Sequence, residues 1–389
     1  MCTDLPFNGL RVLELGTVIS GPFAGSMLAD LGAEVIKIEA PGKGDAQRSS
    51  GHKKNGVTPW WSVASRDKQC MTLNLKHPEG KAIFGKLIRK ADVLVENYRP
   101  GALEKLGFGW DAVNTMNPQL VVLSISGYGR TGPSAGKSGF GKIAEGLSGV
   151  VTMTGQPGVR PVFVGFSLAD TCSGLFGALG VALALYDRDI NGGKGHRVDM
   201  ALYEPLFRML DCQLAIYAKL GKPPLRRGTN DAYGWGLEST TRPHFHCVQV
   251  NTGEWFLTSV PGSQAVRQLT VGKVGDNDQQ RLAAWAKALA PTALREALAK
   301  VGGDIVPVLD GMSIAKNEYL RARGDVLDTK DAKAGDLTVP GWICPPPAGG
   351  EVRRPFNDAA LGERTDYILG HDLGLSPADI DRLRSEDVI

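Results

Sequence analysis

The most regular hydrophobic pattern in the chain follows Asp170. Apolar residues recur there at helical spacing, at Leu175, Leu179, Val181, Leu183 and Leu185. This spacing predicts a buried helix of about four turns that begins at Asp170. A glycine-rich turn at residues 193–195 and a short strand at 196–200 follow it. At the start of a helix, Asp170 is either an N-cap or a reactive anion that the helix N-terminus stabilises, and the two roles are compatible.

The N-terminal segment alternates short apolar runs with helical patterns. Residues 10–15 and 34–38 predict strands, and a helix that starts at Pro22 lies between them. Two further strands are predicted to end at Glu96 and at Ser126. A strand–helix–strand order predicts a parallel sheet with right-handed crossovers. The predicted fold class is therefore α/β, with a doubly wound parallel sheet in a large domain.

The pattern changes near residue 225. Residues 206–219 predict one continuous helix, and the sequence then becomes irregular. Beyond it, strands at 244–250 and 254–260 predict a hairpin around an Asn-Thr-Gly turn. We therefore expect a second, smaller α+β domain. The predicted boundaries are 1–224 and 321–389 for the large domain, and 225–320 for the small one.

Composition excludes several classes of protein. The net charge of +3 over 389 residues is too small to indicate nucleic-acid binding. The N-terminus lacks the basic and apolar regions of a signal peptide, and the helix after Asp170 looks too short for a bilayer span. Six scattered cysteines without C-x-x-C spacing indicate reduced thiols. We expect a soluble cytoplasmic protein without nucleic-acid or membrane partners.

Two common kinds of site are disfavoured by spacing. The loop GTVISG after the first strand has Val18 where a dinucleotide-binding loop has its second glycine, which argues against an NAD enzyme. His244 and His246 share one face of a predicted strand, but no third ligand has suitable spacing for a metal. We expect no metal site.

The segment ADTCSGLFGALGVALALYDRDINGGKGHRVDMALYE resembles the family III CoA-transferases. Their pattern is a D-x-x-x-G helix, then an arginine, G-K-G and a V-D strand. The opening LRVLELGTVISGPFAGSMLADLGAEVIKIEAPGKGD and the C-terminal helices match the same family, so the resemblance covers nearly the whole chain. It implies that Asp170 is a covalent nucleophile.

The resemblance also implies where coenzyme A binds. Asn97 would line the CoA pocket, and its position after a strand suits a ligand at the carboxyl ends of a parallel sheet. The side chains expected to face the phosphates and pantetheine are Lys68, Arg99, Lys105 and Lys137. The glycine-rich loops at 127–132 and at Gly262 are candidates for the amide donors of an oxyanion hole. No permanently bound cofactor is expected, because the CoA thioester is a substrate.

The family's mechanism and assembly complete the expectation. CoA would pass from an acyl-CoA donor to a carboxylic acid through an aspartyl anhydride and an aspartyl-CoA thioester. The subunit would be a ring interlocked with its partner in a homodimer. Two alternatives stay open: an acyl-CoA racemase or isomerase of the same fold, and a non-catalytic acyl-CoA-binding protein. The racemases carry His and Asp where this chain has Phe140 and Gly141, and neither of these residues can move a proton.

The substrate is less constrained by the sequence. Formyl-CoA transferases have Tyr and Glu at the Phe140 and Gly141 positions, and a long glycine loop that this chain lacks. We favour a small dicarboxylic acid with succinyl-CoA as donor. Its second carboxylate would need a cation, and the candidates are Arg48, His52 and Arg227. The alternative is an aromatic or long acyl group walled by Trp60, Trp61, Tyr233 and Trp235.

Overall fold

A computed structural model describes residues 5–221, 226, 228, 243–341 and 360–389. The chain divides into two compact units. The large unit comprises Met1–Ser148, Gly165–Met209 and Tyr319–Ile389, and the small unit comprises Gly149–Val164 and Leu210–Glu318. Arg227, Tyr233 and Trp235, three of the candidate substrate residues, lie outside the described residues.

Six parallel strands form the sheet of the large unit, in the order β3-β2-β1-β4-β5-β6. They are β1 (Arg11–Glu14), β2 (Glu34–Glu39), β3 (Lys68–Thr72), β4 (Val93–Glu96), β5 (Val121–Ser126) and β6 (Arg197–Ala201). The small unit has an antiparallel sheet of β7 (His244–Gln249), β8 (Trp255–Val260) and β9 (Asp304–Pro307). A hairpin of β10 (Val326–Asp331) and β11 (Gly335–Pro340) belongs to the large unit. The predicted mixed α/β fold with a parallel sheet is confirmed.

Helices connect these strands. From the N-terminus to the strand β6 they are α1 (Ser20–Asp30), α2 (Pro59–Ala64), α3 (Pro78–Ile88), α4 (Ala102–Lys105), α5 (Trp110–Met116), α6 (Gly141–Ser148), α7 (Val150–Met153) and α8 (Leu168–Ile190). After β6 follow α9 (Glu204–Met209), α10 (Gln213–Leu220), α11 (Ser263–Leu269), α12 (Asp278–Ala286), α13 (Pro291–Ala299), α14 (Gly311–Lys316), α15 (Glu318–Ala322), α16 (Thr365–Tyr367) and α17 (Pro377–Ser385). A 3₁₀-helix at Ala46–Ser49 and a π-helix at Ile368–Asp372 complete the described elements.

The C-terminal segment fills one side of the large unit's core. Leu13, Ile36 and Leu94 from the sheet pack in one buried cluster with Ile368 and Leu383 near the C-terminus. A backbone hydrogen bond also joins these two parts of the chain, because the amide of Asn74 donates to the carbonyl of Val388 at 2.8 Å. The first and last parts of the chain are therefore folded together.

The helix α8 packs closely against the sheet and α1 because glycines face both. A Cβ on Gly174 would lie 2.8 Å from the carbonyl oxygen of Ser20 in α1. A Cβ on Gly177 would lie 2.9 Å from the side chain of Leu123 in β5. Larger residues at these two positions would push α8 away from its neighbours.

Two sequence predictions about helices were wrong. The helix α8 spans 23 residues, so it is long and apolar enough to cross a bilayer by length and composition alone, although 44% of its most apolar window is buried inside the protein. The expectation that this helix is too short for a bilayer span is therefore wrong. The predicted helix at 206–219 is two helices, α9 and α10, because Asp211 between them has a positive φ of 51° that no helix can accommodate.

Candidate active site

Asp170 is the third residue of α8 and not its N-cap. The helix begins at Leu168, after Ser167, which makes no side-chain capping bond. Ala169 is completely buried and anchors this first turn in the large unit, while Asp170 beside it keeps partial exposure. The carboxylate thus lies in the first turn of a long helix, where unpaired backbone amides favour a negative charge.

The carboxylate of Asp170 lies directly against Gly141, the first residue of α6. A Cβ on Gly141 would be 2.1 Å from Oδ2 of Asp170 and 3.5 Å from Oδ1. Real side chains do not approach that closely, so the carboxylate occupies the space that a side chain at position 141 would need. Gly141 is also one of the two residues that argued against a racemase in the sequence. Because it has no side chain, it leaves room for the carboxylate of Asp170.

Asp170 binds its proton more tightly than a solvated aspartate. Burial raises its pKa to about 6, and the negative charge of Glu145 raises it further, while its own backbone amide and Lys142 act in the opposite direction. A carboxyl group with this pKa is still about nine-tenths ionised at pH 7. Asp170 is therefore an anion at neutral pH, and more basic than an exposed one.

Asn97 lies where the strand order reverses, between β1 and β4. It follows β4, and its Oδ1 accepts from the amide of Thr17 at 2.8 Å. Its Nδ2 donates to the carbonyl of Thr17 at 2.8 Å and to the hydroxyl of Ser20 at 3.1 Å. Asn97 thus fixes the loop that joins β1 to α1, at the edge of the sheet where ligands bind in such folds.

The same loop contains a strained residue. Val18 has a φ of 65°, and a positive φ is unfavourable for a β-branched side chain. Asp45 holds it there, because Oδ1 of Asp45 accepts from the amide of Val18 at 3.0 Å. Lys37 adds a further restraint on the loop by donating to the carbonyl of Gly16 at 2.7 Å. Strained, over-determined loops of this kind cluster at functional sites.

The structure places Lys68 in the core and not at the surface. Its ammonium is completely buried, 2.8 Å from Oε2 of Glu14 and 2.6 Å from the carbonyl of Pro22. Lys37 contacts the other oxygen of Glu14 at 2.9 Å. Burial lowers the pKa of Lys68. Because these contacts already compensate its charge, Lys68 is poorly placed to receive a phosphate group.

The other three predicted CoA-binding cations lie on the surface. Arg99 follows β4, Lys105 is in α4, and Lys137 follows β5. All three are exposed. Since β4 and β5 are neighbours in a parallel sheet, the segments that follow them leave from the same edge. Arg130, which the sequence analysis did not single out, also follows β5 and forms ion pairs with Glu96 and Glu104.

The residues proposed to recognise a second carboxylate are differently placed. Arg48 forms an ion pair with Glu39 and stacks over Trp61, with 3.9 Å between the guanidinium carbon and the ring centroid. Trp61 is buried by this contact, whereas Trp60 is partly exposed. His52 lies on an exposed loop. Of the two described candidates for the second carboxylate, His52 is exposed, whereas Arg48 is paired with Glu39.

A cavity of about 420 Å³ opens between α1, α2 and the residues at the start of α8. Most of its lining is apolar: Ile19, Pro22, Phe23, Met27, Trp60, Val63, Ala64 and Phe166. Ser167 and Thr171, on either side of Asp170 in sequence, also line it. The charge of Arg66 at its edge is compensated by an ion pair with Asp30. The cavity can therefore hold an apolar group close to the first turn of α8.

His244 and His246 share a buried face of β7, as their alternation predicted. Burial lowers the pKa of His246. Within the described ranges, no group of three or more His, Cys, Asp or Glu side chains is placed to hold a metal ion.

Comparison with known proteins supplies the family context. Residues 7–360 match the model of CoA-transferase family III. The beta subunit of succinyl-CoA–L-malate CoA-transferase from Chloroflexus aurantiacus is 33% identical over 414 residues, covering 100% of this chain and 99% of the relative. The succinyl-CoA–D-citramalate CoA-transferase of the same organism is 31% identical over 407 residues, covering 99% and 98%. A crystal structure of a CAIB/BAIF family protein from Brucella suis matches 95% of this chain and 100% of that chain, with a TM-score of 0.79 and 27% identity.

Proposed function

The chain belongs to CoA-transferase family III, and we propose that it moves CoA from succinyl-CoA to a small carboxylic acid through covalent intermediates on Asp170. The observation that carries the proposal is the anionic carboxylate of Asp170, in the first turn of α8 and against a residue without a side chain. A carboxylate is a suitable nucleophile for exchange between a thioester and an acid.

The reaction then needs two covalent intermediates. The carboxylate of Asp170 attacks the thioester carbonyl, the C–S bond breaks, and CoA leaves as a thiolate from a mixed anhydride. The thiolate attacks the aspartyl carbonyl of this anhydride, which releases the donor acid and leaves an aspartyl-CoA thioester. The acceptor carboxylate repeats these steps in reverse, so that Asp170 is regenerated. Each tetrahedral intermediate requires amide donors, for which we propose the glycine-rich loop at 127–132 after β5.

We propose that CoA binds along the carboxyl edge of the parallel sheet. Asn97 there would line its pocket, while Arg99, Lys105 and Lys137 would approach its phosphates and pantetheine. Their exposure supports this assignment, since an exposed cation can reach the phosphates of a bound ligand. We assign Lys68 to the buried ion cluster with Glu14 instead.

The proposed donor and acceptor follow the relatives. Two of them are named for succinyl-CoA with L-malate or D-citramalate, which are small dicarboxylic acids. Arg48 is withdrawn from the proposed recognition of the second carboxylate, because Glu39 already pairs with it. His52 and Arg227 remain candidates, and Trp60 lines the apolar cavity that would receive the alternative aromatic or long acyl group.

We propose a cytoplasmic homodimer whose subunits interlock. The observation that supports a dimer is an exposed apolar face of α8, which a second copy of the chain would cover. The large side chains Leu175, Leu179, Leu183, Tyr186 and Ile190 recur on that face, and each is between 45% and 66% exposed. A continuous apolar stripe of this kind is rare on monomers.

The first experiment separates the proposal from its alternatives. The protein is incubated with succinyl-CoA and a panel of acids, and new CoA thioesters are measured. Transfer to dicarboxylic acids, absent in Asp170→Ala, supports the proposal, whereas transfer to monocarboxylic aromatic acids alone contradicts the substrate. A racemase would instead exchange the α-proton of an acyl-CoA with deuterated solvent. A non-catalytic relative would bind acyl-CoA and do neither.

A further inference from the structure

An ion pair in α6 lies beside Asp170 and takes no part in the steps above. Glu145, in the eight-residue helix α6, is completely buried. Both of its carboxylate oxygens accept from Nζ of Lys142, each at 2.9 Å. The same ammonium donates to the carbonyl of Phe166 at 2.8 Å. Lys142 thus joins a buried charge of α6 to the segment that leads into α8.

The helix α6 therefore meets the start of α8 at two places. Lys142 holds the carbonyl of Phe166, which lies two residues before α8 begins. At its own first residue, Gly141 bounds the carboxylate of Asp170. We propose that Lys142 and Glu145 are positioning residues that hold the start of α8 against α6 and so fix the carboxylate of Asp170. This inference rests on the proposed function, in which Asp170 is the nucleophile.

Stability alone does not explain the pair. Burying the carboxylate of Glu145 costs desolvation energy, and the ammonium of Lys142, whose side chain is 46% exposed, offsets this cost only in part because water screens it. Glu145 also places a second negative charge beside an aspartate that is itself ionised, which is unfavourable. A negative charge here raises the basicity of the neighbouring carboxylate, and a more basic carboxylate is a better nucleophile.

The charges that act on Asp170 come from α6. Burial is the largest cause of its raised pKa, followed by Glu145, and Lys142 opposes them. The residues of α1 that meet α8 near Gly174 are Ser20, Phe23 and Ala24, which carry no charge. The helix α9 also packs on α8 and carries Glu204 and Arg208. The carboxylate of Glu204 accepts from the amide of Ala201 at 2.7 Å.

Glu145→Gln tests the charge separately from the shape. Glutamine keeps the size of the side chain and an oxygen for Lys142, but it removes the negative charge. The acidic limb of the pH profile of kcat/KM, which reports the free enzyme, should move to lower pH by roughly one unit. A purely structural pair would change the melting temperature and leave this limb in place.

Lys142→Met tests the tie to α8. Without the bond to Phe166, the carboxylate of Asp170 should lose its fixed position, and kcat should fall roughly 10- to 100-fold while the KM for acyl-CoA stays within about twofold. Lys142→Arg can restore both contacts and should recover most of the loss. The matched controls are Lys86→Met and Glu296→Gln, exposed residues of α3 and α13, which should behave as wild type.

The outcomes separate this inference from the proposed function. Wild-type protein incubated with acyl-CoA is first assayed for a covalent adduct on Asp170. If the adduct forms, an unshifted pH profile for Glu145→Gln together with an unchanged kcat for Lys142→Met overturns the inference and leaves the function intact. If wild type forms no adduct, the proposed function fails, and the inference fails with it. Should Glu145→Gln not fold, Lys142→Met and its arginine rescue decide.

Discussion

Gly141 and Asp170 are in such close contact that a single methyl group would separate them: a Cβ on Gly141 would lie 2.1 Å from Oδ2 of Asp170. The contact joins the first residue of α6 to the first turn of α8. It defines where the proposed nucleophile is held, and it makes the size of residue 141 a direct test of that position.

Gly141→Ala should displace the carboxylate of Asp170 and lower kcat roughly 100-fold, since errors of about 1 Å in a reacting group have effects of this size. The control is Gly146→Ala in the same helix, where a Cβ would meet nothing within 4 Å. That variant should keep full activity and gain about 0.4–1 kcal/mol of stability from its helix. Equal activity of the two variants would show that the contact with Gly141 does not position Asp170.

Asp170→Asn should stabilise the folded protein at pH 7.5. The pKa of Asp170 is raised from 3.8 to about 6, first by burial and then by Glu145, so the folded state binds more protons than the unfolded state between these values. Stability is therefore lost as pH rises through that window. Removing the charge should recover on the order of 1 kcal/mol, allowing for the partial exposure of the group.

Melting temperatures of Asp170→Asn and wild type at several pH values measure this effect. The gain should be present at pH 7.5 and absent near pH 4, because the carboxyl group of Asp170 is then largely protonated in the folded wild type and there is no charge left to remove. The side-chain oxygen of asparagine can still accept from the backbone amide of residue 170, so the comparison isolates the charge. A lower melting temperature for Asp170→Asn than for wild type at pH 7.5 would mean that the folded protein favours the carboxylate anion, which contradicts the prediction.

Lys68→Met should affect folding more than CoA binding. It leaves the buried Glu14 with Lys37 as its remaining cation and removes the donor to the carbonyl of Pro22, which should cost about 3 kcal/mol of unfolding free energy. Arg99→Ala, at an exposed position, should weaken CoA binding without changing stability. Denaturant unfolding and calorimetric titration with CoA distinguish the two. If Lys68→Met had normal stability but no longer bound CoA, Lys68 would be a CoA-binding residue after all.

Leu183→Lys should weaken the proposed dimer. The side chain is 63% exposed in the middle of the apolar face of α8, and a buried lysine without a partner is costly. Light scattering at micromolar concentration should give the mass of a dimer for wild type and of a monomer for this variant. Val274→Lys, at a residue 90% exposed in the small unit, is the matched control and should remain dimeric. A monomeric wild type would contradict the dimer itself.

The sequence predicted the parallel sheet because its strands are short apolar runs separated by amphipathic segments. The position of Asn97 at the carboxyl edge followed from the end of β4, which was also visible as a pattern. The end of the helix at 209 was not visible, because apolar residues continue through the break and only the backbone of Asp211 interrupts it. Local patterns thus located the elements but not their exact ends.

The surroundings of Asp170 depend on contacts that no local pattern records. Lys142 and Glu145 have the spacing of an ordinary surface pair on a helix, yet Glu145 is completely buried. The sequence predicts Lys68 as a CoA-binding cation, but Glu14 of β1, two strands away in the sheet, compensates its charge in the protein interior. Burial of a charged side chain depends on how segments distant in sequence pack around it, and a local pattern does not show that packing.

The most direct test of covalent catalysis by Asp170 is the mass of the peptide that contains this residue, measured during turnover. Protein is incubated with succinyl-CoA, quenched, digested and analysed by mass spectrometry, with and without hydroxylamine. We expect the peptide containing Asp170 to carry CoA as a thioester, to lose it to hydroxylamine as an aspartyl hydroxamate, and to stay unmodified in Asp170→Asn. Transfer activity with no adduct on Asp170, or with an adduct on another residue, would contradict the central claim.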